Sequence, residues 1–429
     1  MEKLAIRGGS PLRTKPFPVW PVHGEIERRG LLEVLESGLW SGIGPKERSF
    51  TDAFAQFSGA SHALCVANGS ISLELALRAL RVGPGDEVIV PALTWLATAW
   101  AVLQVGARPV FTDVCASTWC LDPAQVRAKI TPRTRAIIPV HLYNQMAPMG
   151  ELLEIAREHS FGVIEDCAHA HGMQLDGKGA GTIGHIGSFS FQSSKAMTAG
   201  EGSVLTTNDA VLAEELAGLR NCGRPMTPDR GATFGSNYRI TEFQAAVLLG
   251  QISRFPEQLA RKAENLHHFR ERMREIEGIV PTPANPSMTR EGFYAVSLRY
   301  DASVFGGTPR EVFAEALRAE GIPMEFTYET VYEAYLWKPG AARIRCGAGE
   351  RPEDMLGFGS HCPIAEEISR ISGMKLLHQV FLGTREDIDD VVDGIAKVAA
   401  HCGQLRMHSL KTMARRKVKG LLNAVRSRS

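Results

Sequence analysis

The sequence predicts an α/β protein built on a mainly parallel β-sheet with helices on both faces. Two observations lead to this fold class. The chain contains several apolar runs of strand length, and the segments between them have apolar residues that recur at helical spacing. The strand-like runs lie at residues 62–67, 87–90, 109–113, 136–140 and 162–165. The helical segments between them include residues 73–80, 94–105 and 149–158.

The pattern changes in the second half of the chain. A long helical stretch runs from Glu242 to about Glu277, and Pro281 follows it. Beyond this proline we expect a smaller α+β domain. Its predicted elements are a strand at 292–300 and helices at 310–320 and 385–402.

We therefore expect three segments. Residues 1–250 form a large domain with an N-terminal arm, residues 251–405 form the linking helix and the small domain, and residues 406–429 form a basic tail. From His408 onwards this tail has seven Lys/Arg and no acidic residue. It is consistent either with a basic amphipathic helix that contacts a membrane surface or an acidic partner, or with a solvated terminus.

The composition narrows the class of protein. A net charge of +1 over 429 residues implies no general attraction to nucleic acid. Eight scattered cysteines and a start without a signal-peptide pattern lead us to expect a reduced, cytoplasmic environment. The uncharged run at 88–107 imitates a membrane span, but Pro91 interrupts it and Arg108 follows it. A strand, a turn and a buried helix are therefore expected there.

Lys195 is the first candidate for chemistry. An apolar strand-like run at 187–191 leads through small hydroxyl residues to Lys195, and a glycine-rich turn and a second strand at 203–207 follow. An amine at the edge of a sheet, surrounded by small residues, loses its proton more easily and can attack a carbonyl to form a Schiff base. A surface lysine on a hairpin is the alternative.

Asp166 is the second candidate, at the C-terminal end of a buried strand. Ligand-binding groups of open α/β sheets lie at such ends. A carboxylate there can keep a pyridine nitrogen protonated, which makes pyridoxal phosphate an electron sink, and His169 could contact the same ring. Metal binding by Asp166, Cys167, His169 and His171 is the alternative. We disfavour it because side chains of one strand alternate between faces and no second cluster has zinc-like spacing.

Two turns after strand-like runs suit a planar, phosphate-bearing cofactor. Gly69 and Ser70 precede a helical pattern, and the free amides at a helix start attract phosphate. An ordinary serine N-cap is the alternative. Trp95 follows the strand at 87–90 and could stack on a planar cofactor, with a core tryptophan as the alternative.

A glycine run at 179–184 matches the dinucleotide-binding pattern G-x-G-x-x-G. That pattern requires a following helix and an acidic residue about 20 positions on. Here the next segment, 188–191, is strand-like. We therefore favour pyridoxal phosphate over a nicotinamide cofactor, which remains the second candidate.

Together these segments resemble the pyridoxal-phosphate aminotransferases of the DegT/StrS type, which aminate keto-sugars and keto-cyclitols. The likeness extends from Leu4 to about His401 and is most specific at 165–172, 190–202 and 235–239. It implies a fold-type I aminotransferase, in which residues 1–250 form a large, mainly parallel, seven-stranded cofactor-binding domain. It also implies a homodimer with shared active sites.

The resemblance implies roles for the residues at the cofactor ring. Lys195 would form the Schiff base with pyridoxal 5'-phosphate and shuttle protons. Asp166 would pair with the pyridine nitrogen, Trp95 would stack on the ring, and His169 would lie near the ring hydroxyl.

The resemblance also assigns the phosphate contacts. Ser70, Ser190 and the backbone amide of Ile71 would hold the phosphate, and Asn237 would reach the phosphate of the other subunit. Only the amide of Ile71 is carried over, because a smaller residue is usual there. Asn144 replaces a usual glycine, and we expect it to reshape the substrate mouth.

The segments 94–99, 168–172, 191–202 and 299–307 are more similar to the scyllo-inosose aminotransferase and aminohydroxybenzoate synthase subgroup than to nucleotide-sugar members. This likeness implies amino transfer from glutamine or glutamate to an inosose-type ketone in secondary-metabolite or sugar biosynthesis. The alternatives within the family are a nucleotide keto-sugar aminotransferase and an aromatising dehydratase like aminohydroxybenzoate synthase. A non-catalytic regulatory member is disfavoured because Lys195 and Asp166 are both present.

Overall fold

The computed structural model describes residues 3–225, 227, 233–283, 285–335, 337, 355–357 and 359–405. The strands are β1 His62–Val66, β2 Glu87–Pro91, β3 Arg108–Thr112, β4 Thr134–Ile137, β5 Gly162–Asp166, β6 Gln174–Leu175, β7 Lys178–Gly179, β8 Ile186–Ser190, β9 Ser203–Thr207, β10 Ile279–Pro281, β11 Met288–Arg290, β12 Ala295–Tyr300, β13 Glu325–Phe326 and β14 Gly373–Leu377. The α-helices are α1 Glu25–Ser37, α2 Pro45–Ser58, α3 Gly69–Ala79, α4 Ala97–Gln104, α5 Pro123–Lys129, α6 Met149–His159, α7 Ala210–Arg220, α8 Glu242–Met273, α9 Arg310–Ala319, α10 Pro363–Glu367 and α11 Arg385–Ala400.

A seven-stranded sheet lies at the centre of the larger part of the molecule, in the order β1-β9-β8-β5-β4-β2-β3. The five strands from β8 to β3 in this order pair in parallel. β9 runs antiparallel to both of its neighbours, so it alone opposes the other six. Every residue of β2, β8 and β9 is buried, as expected for strands covered by helices on both faces. The predicted α/β class with a mainly parallel sheet is confirmed.

The strand-like runs of the first 170 residues form β1 to β5 of this sheet. The fourth ends earlier than predicted, at Ile137, although Val140 still pairs with Asp166 through an isolated bridge. The uncharged run at 88–107 folds as most of β2, a turn and α4. Among the described residues, no helix is both long and apolar enough to cross a membrane. The basic tail at 406–429 lies outside the described residues.

The smaller part is built on a four-stranded antiparallel sheet in the order β10-β12-β14-β13. The two predicted helices are present as α9 and α11, which pack on each other. α8 begins at a capping box formed by Thr241 and Gln244 and connects the two parts. It ends at Met273, slightly before the predicted Glu277. The proposed boundary at residue 250 falls inside this helix, and the three-segment division remains a prediction.

The N-terminal arm is tied to the small sheet's helices. The carboxylate of Glu320, which is fully buried after α9, accepts hydrogen bonds from the amides of Ala5 at 2.7 Å and Leu12 at 3.0 Å. The buried guanidinium of Arg13 pairs with Asp387 in the first turn of α11 at 2.7 Å, and with Asp390 at 2.5 Å. These contacts fix the course of the arm towards the large sheet.

The Arg13–Asp387 pair predicts an acid-sensitive contribution to stability. Burial alone would raise the pKa of Asp387, but hydrogen bonds from the Thr384 amide, Arg13 and Lys15 lower it to about 2. The pKa returns to about 3.9 in the unfolded chain. Because the folded pKa is depressed, the pair stabilises above that pH, and its contribution is lost as the pH falls from about 4 to about 2.

We therefore expect Asp387→Asn to lower the free energy of unfolding at pH 7 by roughly 2–3 kcal/mol, the contribution that this difference in pKa implies. The difference from wild type should be largely lost at pH 2. Urea unfolding at pH 7, 4 and 2 measures both. Asp393→Asn on the same helix is the control, because Asp393 is 53% exposed and its pair with Arg272 is worth under about 1 kcal/mol. A difference that stays constant over this pH range would contradict the assignment.

Candidate active site

The candidate residues gather at one edge of the large sheet. Asp166 ends β5, Ser190 ends β8, and Trp95 follows β2. Lys195 lies in the loop that joins β8 to β9. The carboxyl ends of parallel strands share an edge, and open α/β sheets bind ligands there.

The Asp166 carboxylate is buried and accepts two hydrogen bonds, from Thr98 Oγ1 at 2.8 Å and from the Ala168 amide at 3.2 Å. Burial raises its pKa, while these bonds and the Lys195 amine oppose the rise. Neither hydrogen-bond donor carries a charge, and Asp166 forms no salt bridge with any described residue. A cationic group placed beside this carboxylate would therefore be strongly favoured.

Lys195 is half-buried, and its Nζ lies 4.7 Å from the centroid of the Tyr294 ring. Burial lowers the pKa of Lys195 to about 8; the Asp166 carboxylate opposes this effect and the Lys375 amine adds to it. About half of the amine is then neutral at pH 8. The side chain can act as nucleophile or base near physiological pH.

His169 belongs to an aromatic wall that consists of Tyr143, His169, Tyr294 and Tyr328. Its ring stacks on Tyr294 at 4.2 Å and on Tyr143 at 5.5 Å, both at 11°. Its Nδ1 accepts the Tyr143 amide at 3.3 Å, and its Nε2 lies 3.3 Å from Tyr328 Oη. Burial holds the pKa of His169 well below the usual range. The ring is therefore neutral, with its proton on Nε2, because Nδ1 accepts an N–H.

The start of α3 lies against Ser190. A Cβ on Gly69 would come 3.0 Å from Ser190 Cβ and 3.2 Å from its Oγ, so a side chain here would force Ser190 to move by a few tenths of an ångström. The serine N-cap alternative is wrong: Asn68 caps the helix, and its Oδ1 accepts the Ile71 amide at 3.0 Å. The amide that the resemblance assigns to phosphate is thus engaged within the chain. Ser70 is exposed at the helix start.

Trp95 and Asn237 both lie at the surface. Trp95 is 49% exposed and its ring is 5.9 Å from that of Tyr328, so the core-tryptophan alternative is wrong. Asn237 is exposed, and its backbone pairs with Asn221. The carbonyl of the next residue, Tyr238, accepts the Ala67 amide at 2.8 Å, which places this loop beside the approach to α3.

The metal alternative is not supported by the geometry. No three of the four residues considered from the sequence bring their ligand atoms together. Among the described residues, the group that does so is His141, Glu165 and Cys167. Glu165 is already saturated, because it accepts His141 Nε2 at 2.9 Å and the amides of Gly181, Ile183 and Gly184 at 2.6–3.0 Å. It is a structural carboxylate.

The glycine run at 179–184 therefore has a structural role. Its amides bind the chain's own Glu165 carboxylate. Gly181 has a φ of +79°, and a Cβ there would lie 2.5 Å from the Phe189 ring, so glycine is required. Strand β8 follows this run where the dinucleotide pattern needs a helix. The nicotinamide alternative is not supported.

Sequence reasoning missed several residues of the site and misplaced one. Thr98, Tyr294 and Tyr328 contact the candidate residues, and only Thr98 lay in a segment singled out beforehand for its likeness to relatives. The expectation for Asn144 is wrong. It is buried, and its Oδ1 accepts Ser297 Oγ at 2.7 Å, so it joins the large part to the small sheet and does not line a substrate mouth.

The fold and these side chains together define a class of enzyme. An amine that is partly neutral near pH 7 lies beside a buried carboxylate that lacks a cation, at the ligand-binding edge of an α/β sheet. This arrangement suits reactions that pass through a Schiff base.

Comparison with known proteins supports this class. The profile described as the DegT/DnrJ/EryC1/StrS aminotransferase family matches residues 22–346. The chain belongs to this family and is an aminotransferase. The predicted family resemblance is confirmed.

Individual relatives agree. The L-glutamine:2-deoxy-scyllo-inosose aminotransferase of Streptoalloteichus tenebrarius is 39% identical, over 94% of this chain and 99% of its own length. The L-glutamine:scyllo-inosose aminotransferase of Streptomyces griseus is 38% identical, over 92% of this chain and 97% of its own. The crystal structure of 3-amino-5-hydroxybenzoic acid synthase superposes with a TM-score of 0.80 at 34% identity, over 90% of this chain and 99% of that one.

Proposed function

We propose that this enzyme transfers the amino group of L-glutamine to the ketone of an inosose-type cyclitol, with pyridoxal 5'-phosphate as its cofactor. The observation that carries the chemistry is the pair formed by Lys195, with its lowered pKa, and the buried Asp166 carboxylate. The names of the near-full-length relatives support the substrate class.

The side chains present suit this cofactor. Asp166 is a buried carboxylate without a cationic partner among the described residues, and a protonated pyridine nitrogen is the cation that such a site favours. The close approach of Gly69 to Ser190 leaves a helix start free of side-chain bulk, where a phosphate is favoured. Ser70 and Ser190 would hold the phosphate with amides of the α3 start, and the half-exposed Trp95 would cover the ring.

Each protein group then has a defined task. When bound, pyridoxal phosphate supplies an electron sink for the bond that breaks at the amino-bearing carbon. Lys195 Nζ removes the proton from that carbon of the donor and returns a proton to the carbon of the acceptor. The Asp166 carboxylate would balance the charge of the ring nitrogen. The neutral His169 donates its Nε2 proton to Tyr328 Oη, and this orients the Tyr328 hydroxyl so that its own proton can be donated to another group.

A panel of half-reactions tests the substrate class. We expect glutamine to change the absorbance spectrum of the bound cofactor. 2-Deoxy-scyllo-inosose or scyllo-inosose should then restore the original spectrum. A nucleotide keto-sugar should leave the spectrum unchanged. Reversal by the nucleotide keto-sugar alone would overturn the cyclitol assignment. Elimination of water with formation of an aromatic product would favour the aminohydroxybenzoate synthase-like alternative. The structural similarity to 3-amino-5-hydroxybenzoic acid synthase is the reason to test for it.

We further propose that the active unit is a homodimer that shares its active sites. An exposed apolar face, formed by Leu35, Leu39, Trp40 and Ile43, supports this arrangement. Four large apolar side chains within nine residues form the kind of patch that a partner surface covers. The face is continuous with the start of α8, because the Glu242 amide donates to the Trp40 carbonyl at 3.0 Å. The loop that carries Asn237 leads directly into this region.

Subunit mixing tests whether Asn237 serves the neighbouring site. Lys195→Ala and Asn237→Asp are each expected to be inactive, because the carboxylate introduced by the second change would place a negative charge beside the phosphate. A mixed dimer has one doubly damaged site and one intact site, so exchange should restore up to about a quarter of the wild-type activity. The test compares the turnover of the mixed variants before and after subunit exchange.

The matched control pairs Lys195→Ala with Asp166→Asn, two changes that damage the same site, and no activity should return. If Lys195→Ala and Asn237→Asp also stay inactive although exchange is demonstrated, Asn237 acts within its own subunit and the proposal is wrong. A fully active monomer would contradict it as well.

A further inference from the structure

The backbone just before Lys195 is held by hydrogen bonds from three distant parts of the chain. Trp20 Nε1 donates to the Ser193 carbonyl at 3.0 Å. His378 Nε2 lies 3.2 Å from the Ser194 carbonyl. The Tyr294 hydroxyl donates to Ser194 Oγ at 3.3 Å. Two consecutive residues before the amine are thus anchored from outside their own loop.

The three anchors also contact one another. The Trp20 ring packs edge-on against His378, with centroids 4.5 Å apart at 90°. The His378 amide donates to the Tyr294 carbonyl at 3.0 Å. The Tyr294 ring in turn lies 4.7 Å from Lys195 Nζ. Contacts between the three anchors therefore run without a gap from the N-terminal arm to the reactive amine.

The protonation of His378 follows from its surroundings. Its side chain is fully buried, and burial holds its pKa well below the usual range, with Lys262, His171 and Lys195 adding to the effect. The ring is therefore neutral. A carbonyl oxygen can only accept, so the proton is on Nε2 and His378 donates it to Ser194.

We propose that Trp20 and His378 are positioning residues that clamp the Ser193–Ser194 backbone and thereby fix the half-buried Lys195 amine over the Tyr294 ring. This inference rests on the proposed function of Lys195. The N-terminal arm and the turn after β14 then become parts of the active site, although neither touches the reacting atoms.

Loss of an anchor should displace Lys195, because a backbone carbonyl of Ser193 or Ser194 would then lack its hydrogen-bond donor. Without its donor, the half-buried Ser194 carbonyl loses its hydrogen-bond partner, and the penalty, at most about 1–3 kcal/mol, favours a shift of the segment towards water. A small displacement of a reacting group lowers rates strongly, since catalysis depends on pre-set geometry. A better-hydrated amine also regains part of its ordinary pKa, since burial is the main cause of the lowering.

The experiment measures the amine directly. The full-length protein is freed of cofactor, and Lys195 acetylation by an acylating reagent is followed across pH by peptide mass spectrometry. His378→Phe and Trp20→Phe remove a donor while they keep a ring, and His378→Gln restores a donor near the Nε2 position. The other charged groups that act on the Lys195 amine, Asp166 and Lys375, stay unchanged in every variant.

Two control variants match these changes. Trp100→Phe removes an indole whose nitrogen makes no hydrogen bond with the described residues. His268→Gln alters a histidine that pairs with Asp389 far from the site. Both should keep the wild-type midpoint.

We expect the labelling midpoint of His378→Phe to rise by about one pH unit, a tenfold smaller neutral fraction at pH 7. Trp20→Phe should shift it less, because Trp20 is partly exposed. His378→Gln should return towards wild type, and kcat should fall in the same order with little change in KM. Thermal unfolding identifies any variant that fails to fold; if His378→Phe is lost in this way, Trp20→Phe and His378→Gln decide.

Midpoints equal to wild type in the folded variants would overturn the clamp. This outcome is distinct from a failure of the proposed function. If Lys195 were not the cofactor lysine, pyridoxal phosphate would fail to protect it from acylation in the wild-type protein, whatever the variants do.

Discussion

Lys195→Ala is expected to abolish transamination, by roughly four orders of magnitude or more, while the fold persists. Alanine removes both the nucleophile and the proton carrier, and no other described amine lies over the Tyr294 ring. The half-reaction with glutamine, the visible absorbance of bound cofactor and thermal unfolding together measure the effect. Wild-type turnover, or an unchanged covalent-cofactor spectrum, would contradict the assignment.

A second buried lysine provides the matched control. Burial lowers the pKa of Lys262 to about 7, and its Nζ lies 5.1 Å and 5.4 Å from the ring centroids of Phe255 and Phe293. It makes no hydrogen bond with the described residues. Lys262→Met should keep nearly wild-type turnover, since the charges that act on the Lys195 amine are those of Asp166 and Lys375, and methionine fills an apolar site well. A loss as large as that of Lys195→Ala would mean that burial alone does not identify the reactive amine.

Asp166→Asn is expected to bind pyridoxal phosphate yet lose roughly 10²–10³-fold in kcat. An amide keeps the size of the side chain and its contact with Thr98, but it cannot balance a positive ring nitrogen. Cofactor titration and the glutamine half-reaction separate binding from chemistry. Thr98→Val is the graded control: it removes one hydrogen bond and leaves the carboxylate, so a loss of roughly fivefold is expected. A kcat for Asp166→Asn near that of wild type would reject the role.

The principal residues of the candidate site could be predicted because their signals are local. Lys195 and Asp166 stand at the ends of strand-like runs, and strand ends of a parallel sheet meet at one edge. Period-two alternation likewise separates Asp166, at the edge, from Glu165, which the structure places among backbone amides. The fold class followed from the same rhythm of runs.

The remaining parts depend on contacts between distant segments. Tyr294 and His378 lie at positions that read as ordinary strand and turn, and only the packed small sheet brings them to Lys195. The departure of Asn144 from the usual glycine predicts a place at the substrate mouth, but its side chain is buried and accepts a hydrogen bond from Ser297 of β12. The sequence favours Ser70 as the cap of α3, but the structure assigns this role to Asn68, two positions earlier. No pattern within a short window contains this information.

The N-terminal arm has a consequence for the order of events during synthesis. Its first contacts join Leu4 to Gln404, Ala5 to Glu320 and Arg13 to Asp387. While the ribosome is still making residues 378–404, the large sheet can form, but His378, Asp387 and Gln404 are not yet available to the lysine loop and the arm. Contacts of such sequence separation form late in folding. The Lys195 loop of the nascent enzyme therefore lacks its His378 anchor until residue 378 has been translated.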